Sequence, residues 1–195
     1  MLDQLLAHIP GDQDAVVRIT LTRGDRIDGR LDGEGCRPRL VVTATALAPE
    51  KPIPPVHLVI SSYRKAPPDV IDPTIKSGNF LSSVRAREDA IGRGADDGIL
   101  LSPDGILTET SCANLFWVRD GAVFTCSREL VLEGITRAWA IRWLQSSGTE
   151  VIEGLFPELE IRAAQEAFLT SSVSGIVPVA SIDGHDLTSD QQTSI

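Results

Sequence analysis

Between Ala48 and Val56 the chain carries four prolines, in Pro49-Glu50-Lys51-Pro52-Ile53-Pro54-Pro55. Each proline fixes φ and lacks an N–H, so this stretch can neither feed a sheet regularly nor sit inside a helix, and it reads as a stiff linker. We therefore expect a domain boundary near residue 56, with a smaller unit over residues 1–56 and a larger one over 57–195. A length of 195 residues is enough to bury a sizeable core in one domain or in two small ones.

On the N-terminal side, Ala15-Val-Val-Arg-Ile-Thr-Leu-Thr22 is β-branched and partly alternating, and Leu40-Val-Val-Thr-Ala-Thr45 reads as its neighbouring strand. The first of these is expected to leave through a turn at Arg23-Gly24. Past the prolines, His57–Ser62 begins a new strand. Residues 76–92 follow a helical pattern, with Phe80, Leu81, Val84 and Ile91 recurring on one side. Gly98–Leu101 reads as a buried strand, and Asp120-Gly121 joins the strands 114–118 and 122–125 as a hairpin. A second helix runs from Ile135 to Gln145, with Ile135, Trp139 and Trp143 on one stripe, and stops at Ser146-Ser147-Gly148. Short strands over 149–152, 166–170 and 176–182, a short helix over 158–164, the Asp183-Gly184 turn and a polar tail from Thr188 complete a mixed α+β pattern without internal repeats.

The formal net charge of -9 argues against a nucleic-acid surface, because phosphate binding needs clustered cations. Arg85, Arg87 and Arg93 share their segment with Glu88, Asp89, Asp96 and Asp97. Cys36, Cys112 and Cys126 are too few and too scattered for a disulfide framework or a zinc site, which points to a reducing cytoplasm. The first ten residues have no basic leader, and no run reaches membrane-spanning length. His8, His57 and His185 have no partner spacing that suggests chemistry. Cys112 reads as a small packing residue, and Tyr63, Arg64 and Lys65 as an exposed loop.

Three segments carry chemistry together. Lys76 lies in Asp72-Pro-Thr-Ile-Lys76-Ser-Gly-Asn79-Phe80, Glu109 in Glu109-Thr-Ser-Cys-Ala-Asn114-Leu-Phe116, and Gly134 in Leu132-Glu-Gly134-Ile135-Thr136-Arg137. Singly they are ordinary: a surface lysine, a carboxylate on a hairpin rim, a helix start. Jointly they supply an amine able to form a Schiff base, a carboxylate able to hold a pyridinium proton, and backbone N–H groups at a helix N-terminus able to take a phosphate. Those are the fittings that pyridoxal 5'-phosphate requires. A carboxylate in contact with the ring nitrogen favours its protonated form by roughly 1.4–4 kcal/mol, which keeps the ring an electron sink. Thr170-Ser171-Ser172 adds three adjacent hydroxyls after a strand.

Taken together with Val123-x-Thr125 and Ser171-Ser172-x5-Pro178-Val179, these motifs resemble the class IV (fold-type IV) pyridoxal phosphate enzymes. That group comprises branched-chain aminotransferases, D-amino acid aminotransferases and 4-amino-4-deoxychorismate lyases. The resemblance implies the tail of a small N-terminal α/β domain followed by a larger mixed-sheet domain that binds the cofactor. It also implies roles: Lys76 as the aldimine lysine and proton shuttle, Glu109 on the pyridine nitrogen, and Leu132 against the ring. The N–H groups of Ile135 and Thr136 behind Gly134, with the hydroxyls of Ser172 and Ser171, are implied to hold the phosphate.

The activity implied is transfer of an amino group between an amino acid and a 2-oxo acid by a homodimer. The alternatives are pyruvate elimination by the lyase and a catalytically inactive remnant. Family chains usually carry a further stretch before the Val-Arg-Ile-Thr strand, with an arginine that clamps the cofactor phosphate, and continue past the Ile-Asp-Gly turn. The resemblance thus leads us to expect a sequence truncated at both ends.

Overall fold

The computed structural model describes residues 2–11, 13–25, 34–47 and 53–187. Two compact units emerge, Met1–Pro52 and Ile53–Ile195. Pro49 and Pro52 of the proline stretch, and the polar tail from Thr188, lie outside the described residues.

In the first unit a short helix α1 (Leu2–Leu6) precedes two strands, β1 (Ala15–Asp25) and β2 (Arg37–Ala46), which pair antiparallel from Ala15↔Ala46 to Asp25↔Arg37. The expected turn at Arg23-Gly24 is instead a bulge, and β1 runs on to Asp25. Gly24 makes this possible: its φ is +94°, and a Cβ there would lie 1.6 Å from the Arg37 carbonyl oxygen. Ile19, Leu21, Leu40 and Val41 remain exposed on this ribbon.

The second unit is built on an eight-stranded sheet. Its strands are β3 (Val56–Arg64), β4 (Asp97–Leu101), β5 (Asn114–Arg119), β6 (Ala122–Cys126), β7 (Val151–Gly154), β8 (Glu166–Ser171), β9 (Gly175–Ile182) and β10 (His185–Asp186). The order is β4-β3-β9-β8-β5-β6-β7, with β10 beside β9. β3 is parallel to β4 and β9, β6 is parallel to β7, and the other pairs are antiparallel, so the sheet is mixed. The hairpin expected at Asp120-Gly121 is present. Both residues take positive φ, 52° and 79°, as the two-residue turn that matches strand twist demands.

Both faces of β5 are buried, which explains its unbroken apolar run. Trp117 stacks on Phe124 with centroids 5.9 Å apart and meets the edge of Phe156 at 5.1 Å, in the larger core cluster with Leu58, Ile99 and Leu115. Its neighbour Phe116 points to the other face, where it stacks on Phe168 at 4.8 Å beneath Ala140, Ile141 and Leu144.

Those last three residues belong to α3 (Ile135–Ser146), whose buried face is Arg137, Ala140, Ile141 and Leu144. The Ile135, Trp139, Trp143 stripe legible in the sequence is the outward one, with Trp139 and Trp143 stacked on each other. A similar inversion holds for α2 (Leu81–Gly92). Phe80, Leu81, Val84 and Ile91 are exposed, whereas Ala86 and Ala90 are fully buried. The cause is close approach: a Cβ on Gly98 of β4 would lie 2.6 Å from the Ala86 carbonyl oxygen, so only small side chains fit between helix and strand. The helix also begins later than residue 76, because Ser77-Gly78-Asn79 turns the chain and Phe80 caps it.

Among the described residues no helix is long and apolar enough to cross a membrane.

Candidate cofactor site

Glu109 sits between β4 and β5, where its carbonyl accepts from the Leu100 N–H and it bridges to Asn114. Its side chain is mostly withdrawn from solvent and its carboxylate is held by three donors. The Leu132 N–H donates to Oε2 at 3.1 Å, Asn114 Nδ2 donates to the same oxygen at 3.2 Å, and Lys65 Nζ donates to Oε1. Asn114 Nδ2 also donates to the Leu132 carbonyl at 2.9 Å. The segment before α3 is thereby tied to Glu109 through one amide.

Gly134 caps α3 without any side-chain hydrogen bond, so the first-turn N–H groups have no side-chain partner at the cap. A Cβ at Gly134 would lie 2.3 Å from Asn114 Oδ1. Asn114 is buried and pinned by two hydrogen bonds, so it has little room to give way. Gly134→Ala is therefore expected to push Asn114 off Glu109 and cost about 1–3 kcal/mol of stability, read as a lowered urea midpoint together with weakened cofactor binding.

Arg137 fastens the same helix end from below. Its buried guanidinium donates to the Cys126 carbonyl at 2.8 Å and to Glu153 at 2.6 Å, joining α3 to β6 and β7. Thr170 lies opposite Asn114 in the β5–β8 register, and its buried hydroxyl has no hydrogen-bond partner among the described residues. Ser171 follows, its Oγ accepting from the Ser174 N–H at 3.1 Å, and Ser172 is exposed just beyond the strand.

The fold thus gathers Glu109, Leu132 and Gly134, and sets the Thr170-Ser171 strand end beside Asn114. Lys76 stands apart. It is exposed in the segment before α2 and makes no hydrogen bond or ion pair with the described residues. The cation in contact with Glu109 is Lys65, expected in an exposed loop; its side chain is only 15% exposed, and its backbone N–H continues the β3–β4 ladder to the Leu101 carbonyl. Period-two alternation carries the signal: Ser61, Tyr63 and Lys65 fall on one side of the strand, more buried than Ser62 and Arg64 between them. Proline at 67 and 68 disguised the strand end as loop. Asn114 and Thr170 were likewise visible in the motifs without an assigned role.

Two cysteines are also sorted by the fold. Cys112 is exposed rather than a packing residue, whereas burial pushes the Cys126 thiol up to about 12.

A carboxylate gripped by three donors, a helix start with free N–H groups and an orphaned buried hydroxyl suit a phosphorylated pyridine better than a dry packing junction. Comparison with known proteins agrees. The model of the amino-transferase class IV family matches residues 1–182. A putative branched-chain-amino-acid aminotransferase of Methanocaldococcus jannaschii is 33% identical over 181 residues, covering 92% of this chain and 62% of that relative. The crystal structure of the branched-chain aminotransferase from Thermoproteus uzoniensis with norvaline superposes with a TM-score of 0.84 at 28% identity, over 90% of this chain and 59% of that one. That of the T.th. branched-chain amino acid aminotransferase with pyridoxamine 5'-phosphate has a TM-score of 0.69 at 32% identity, covering 75% and 49%.

The chain belongs to the amino-transferase class IV family. It spans less than two thirds of the length of each of these relatives.

Proposed function

We propose that this protein is a pyridoxal 5'-phosphate-dependent aminotransferase that moves an amino group between an amino acid and a 2-oxo acid. The observation that carries the reading is the three-donor grip on Glu109, which presents an oriented anion next to the N-terminus of α3. When bound, the cofactor supplies an electron sink for the bonds at the substrate's α-carbon. In this reading Glu109 faces the ring nitrogen, and Leu132, whose backbone is already engaged with Glu109 and Asn114, packs on the ring. The N–H groups of Ile135 and Thr136, reached past Gly134, take the phosphate with Ser171 and Ser172. Lys76 holds the cofactor covalently and, once released, carries the proton at the α-carbon.

Contact with Glu109 argues against Lys65 as the attachment point. The carbon that joins the lysine lies across the ring from the nitrogen that the carboxylate holds, so one amine cannot serve at both ends. Nothing in the site favours pyruvate elimination over transfer. The homodimer and the cytosolic location belong to the same proposal; the apolar residues left exposed on α2 and α3 support the former.

The test is to incubate the chain with pyridoxal 5'-phosphate, reduce with borohydride and locate the added mass by peptide mapping. We expect the label on Lys76. A label on Lys65, or none on any lysine, would overturn the proposal.

A further inference from the structure

We propose that Lys65 is a positioning residue that tempers Glu109 and so sets how tightly a bound pyridine ring nitrogen keeps its proton; this rests on the function proposed above. An ionised carboxylate offers about four acceptor sites. Three are filled: Oε2 by the Leu132 N–H and Asn114 Nδ2, Oε1 by Lys65 Nζ. The remaining site is on Oε1, beside the ammonium. A ring N–H that docks there shares its oxygen with Lys65, and the two donors compete for the same negative charge.

Withdrawal from water makes this competition count. The side chains of Lys65 and Glu109 are 15% and 18% exposed, so solvent screens the pair much less than it screens a surface ion pair. Lys65 is also held from behind, since its backbone N–H donates to the Leu101 carbonyl at 2.9 Å and Ala66 and Pro67 after it are half-buried. The buried Cys126 thiol senses Arg137, Glu109 and Lys65, and Arg137 is committed to Glu153 and the Cys126 carbonyl. Lys65 is therefore the cation whose removal changes the charge at Glu109 most directly.

The sign follows from electrostatics. Taking a positive charge away from beside Glu109 leaves more of its negative charge for the ring N–H, so the pH midpoint of the ring nitrogen rises. The experiment is a pH titration of the ring-nitrogen NMR shift of the full chain loaded with isotope-labelled cofactor, for the unaltered protein and for Lys65→Arg, Lys65→Gln, Lys65→Met and Glu109→Gln, alone and combined. Lys65→Gln and Lys65→Met are both expected to raise the midpoint by about one pH unit, while Lys65→Arg leaves it in place. Lys65→Gln keeps a donor for Oε1, so agreement between the two assigns the effect to charge and not to lost packing. In the Glu109→Gln background the Lys65→Met shift is expected to shrink below half.

A midpoint unmoved by Lys65→Gln and Lys65→Met, or a shift that persists in full without the Glu109 carboxylate, would overturn this inference and leave the proposed function standing. Absence of any Lys76-dependent cofactor band in the unaltered chain overturns both.

Discussion

Replacing Lys76 by alanine is expected to abolish covalent capture of pyridoxal 5'-phosphate: the visible band that develops with the unaltered chain fails to appear, and borohydride fixes no mass. Lys76 is exposed, within a segment held by local turns, and no described residue competes for its amine. Free cofactor still binds the variant, because Glu109 and the helix start keep their donors and acceptors. Amino transfer itself is expected to fall by at least ~10²–10⁴-fold, the usual contribution of a positioned proton carrier, and added alkylamine should restore part of it. Retention of the band in Lys76→Ala together with its loss in Lys65→Ala would reverse the assignment. Absorption spectra of the two variants therefore decide which amine captures the cofactor.

The second large effect concerns stability. Trp117 is fully buried at the centre of the larger core cluster, stacked on Phe124 and capped edge-on by Phe156. Truncation to alanine removes an indole from a position flanked on both sides by paired strands, β6 and β8, which cannot close over the gap. We expect Trp117→Ala to cost about 3–5 kcal/mol, seen in urea unfolding as a midpoint lowered by about 1–3 M with little change in slope. A loss below about 1 kcal/mol would show that the β5 core is not the stabilising centre described here. Trp139→Ala provides the contrast: this indole is half exposed, so its loss is expected to leave the midpoint nearly unchanged.

Strand and hairpin positions were legible in the sequence because they are local. Period-two alternation, β-branched runs and the Asp120-Gly121 turn express steric preferences of neighbouring residues, and the fold reproduces them over 114–126 and 166–182. The grouping of Glu109, Leu132 and Gly134 also shows through, as motif spacing. Which side of each helix is buried was not legible. Apolar residues formed a stripe on α3 at Ile135, Trp139 and Trp143, but the sheet accepted the side bearing Ala140 and Ile141, and on α2 the side bearing Ala86 and Ala90.

By itself, then, the sequence determined the strand pattern, the family and the motif residues, since each depends on residues near one another in the chain. The tertiary structure alone decided which faces of α2 and α3 meet the sheet and which cation meets Glu109. The buried face of α2 was chosen by how near the backbone of β4 comes to Ala86, a distance set by Gly98 on that strand. Lys65 and Glu109 are separated by 44 residues and meet only because β3 pairs with β4 in one register. Contacts of that kind depend on how distant strands align, which no local pattern encodes.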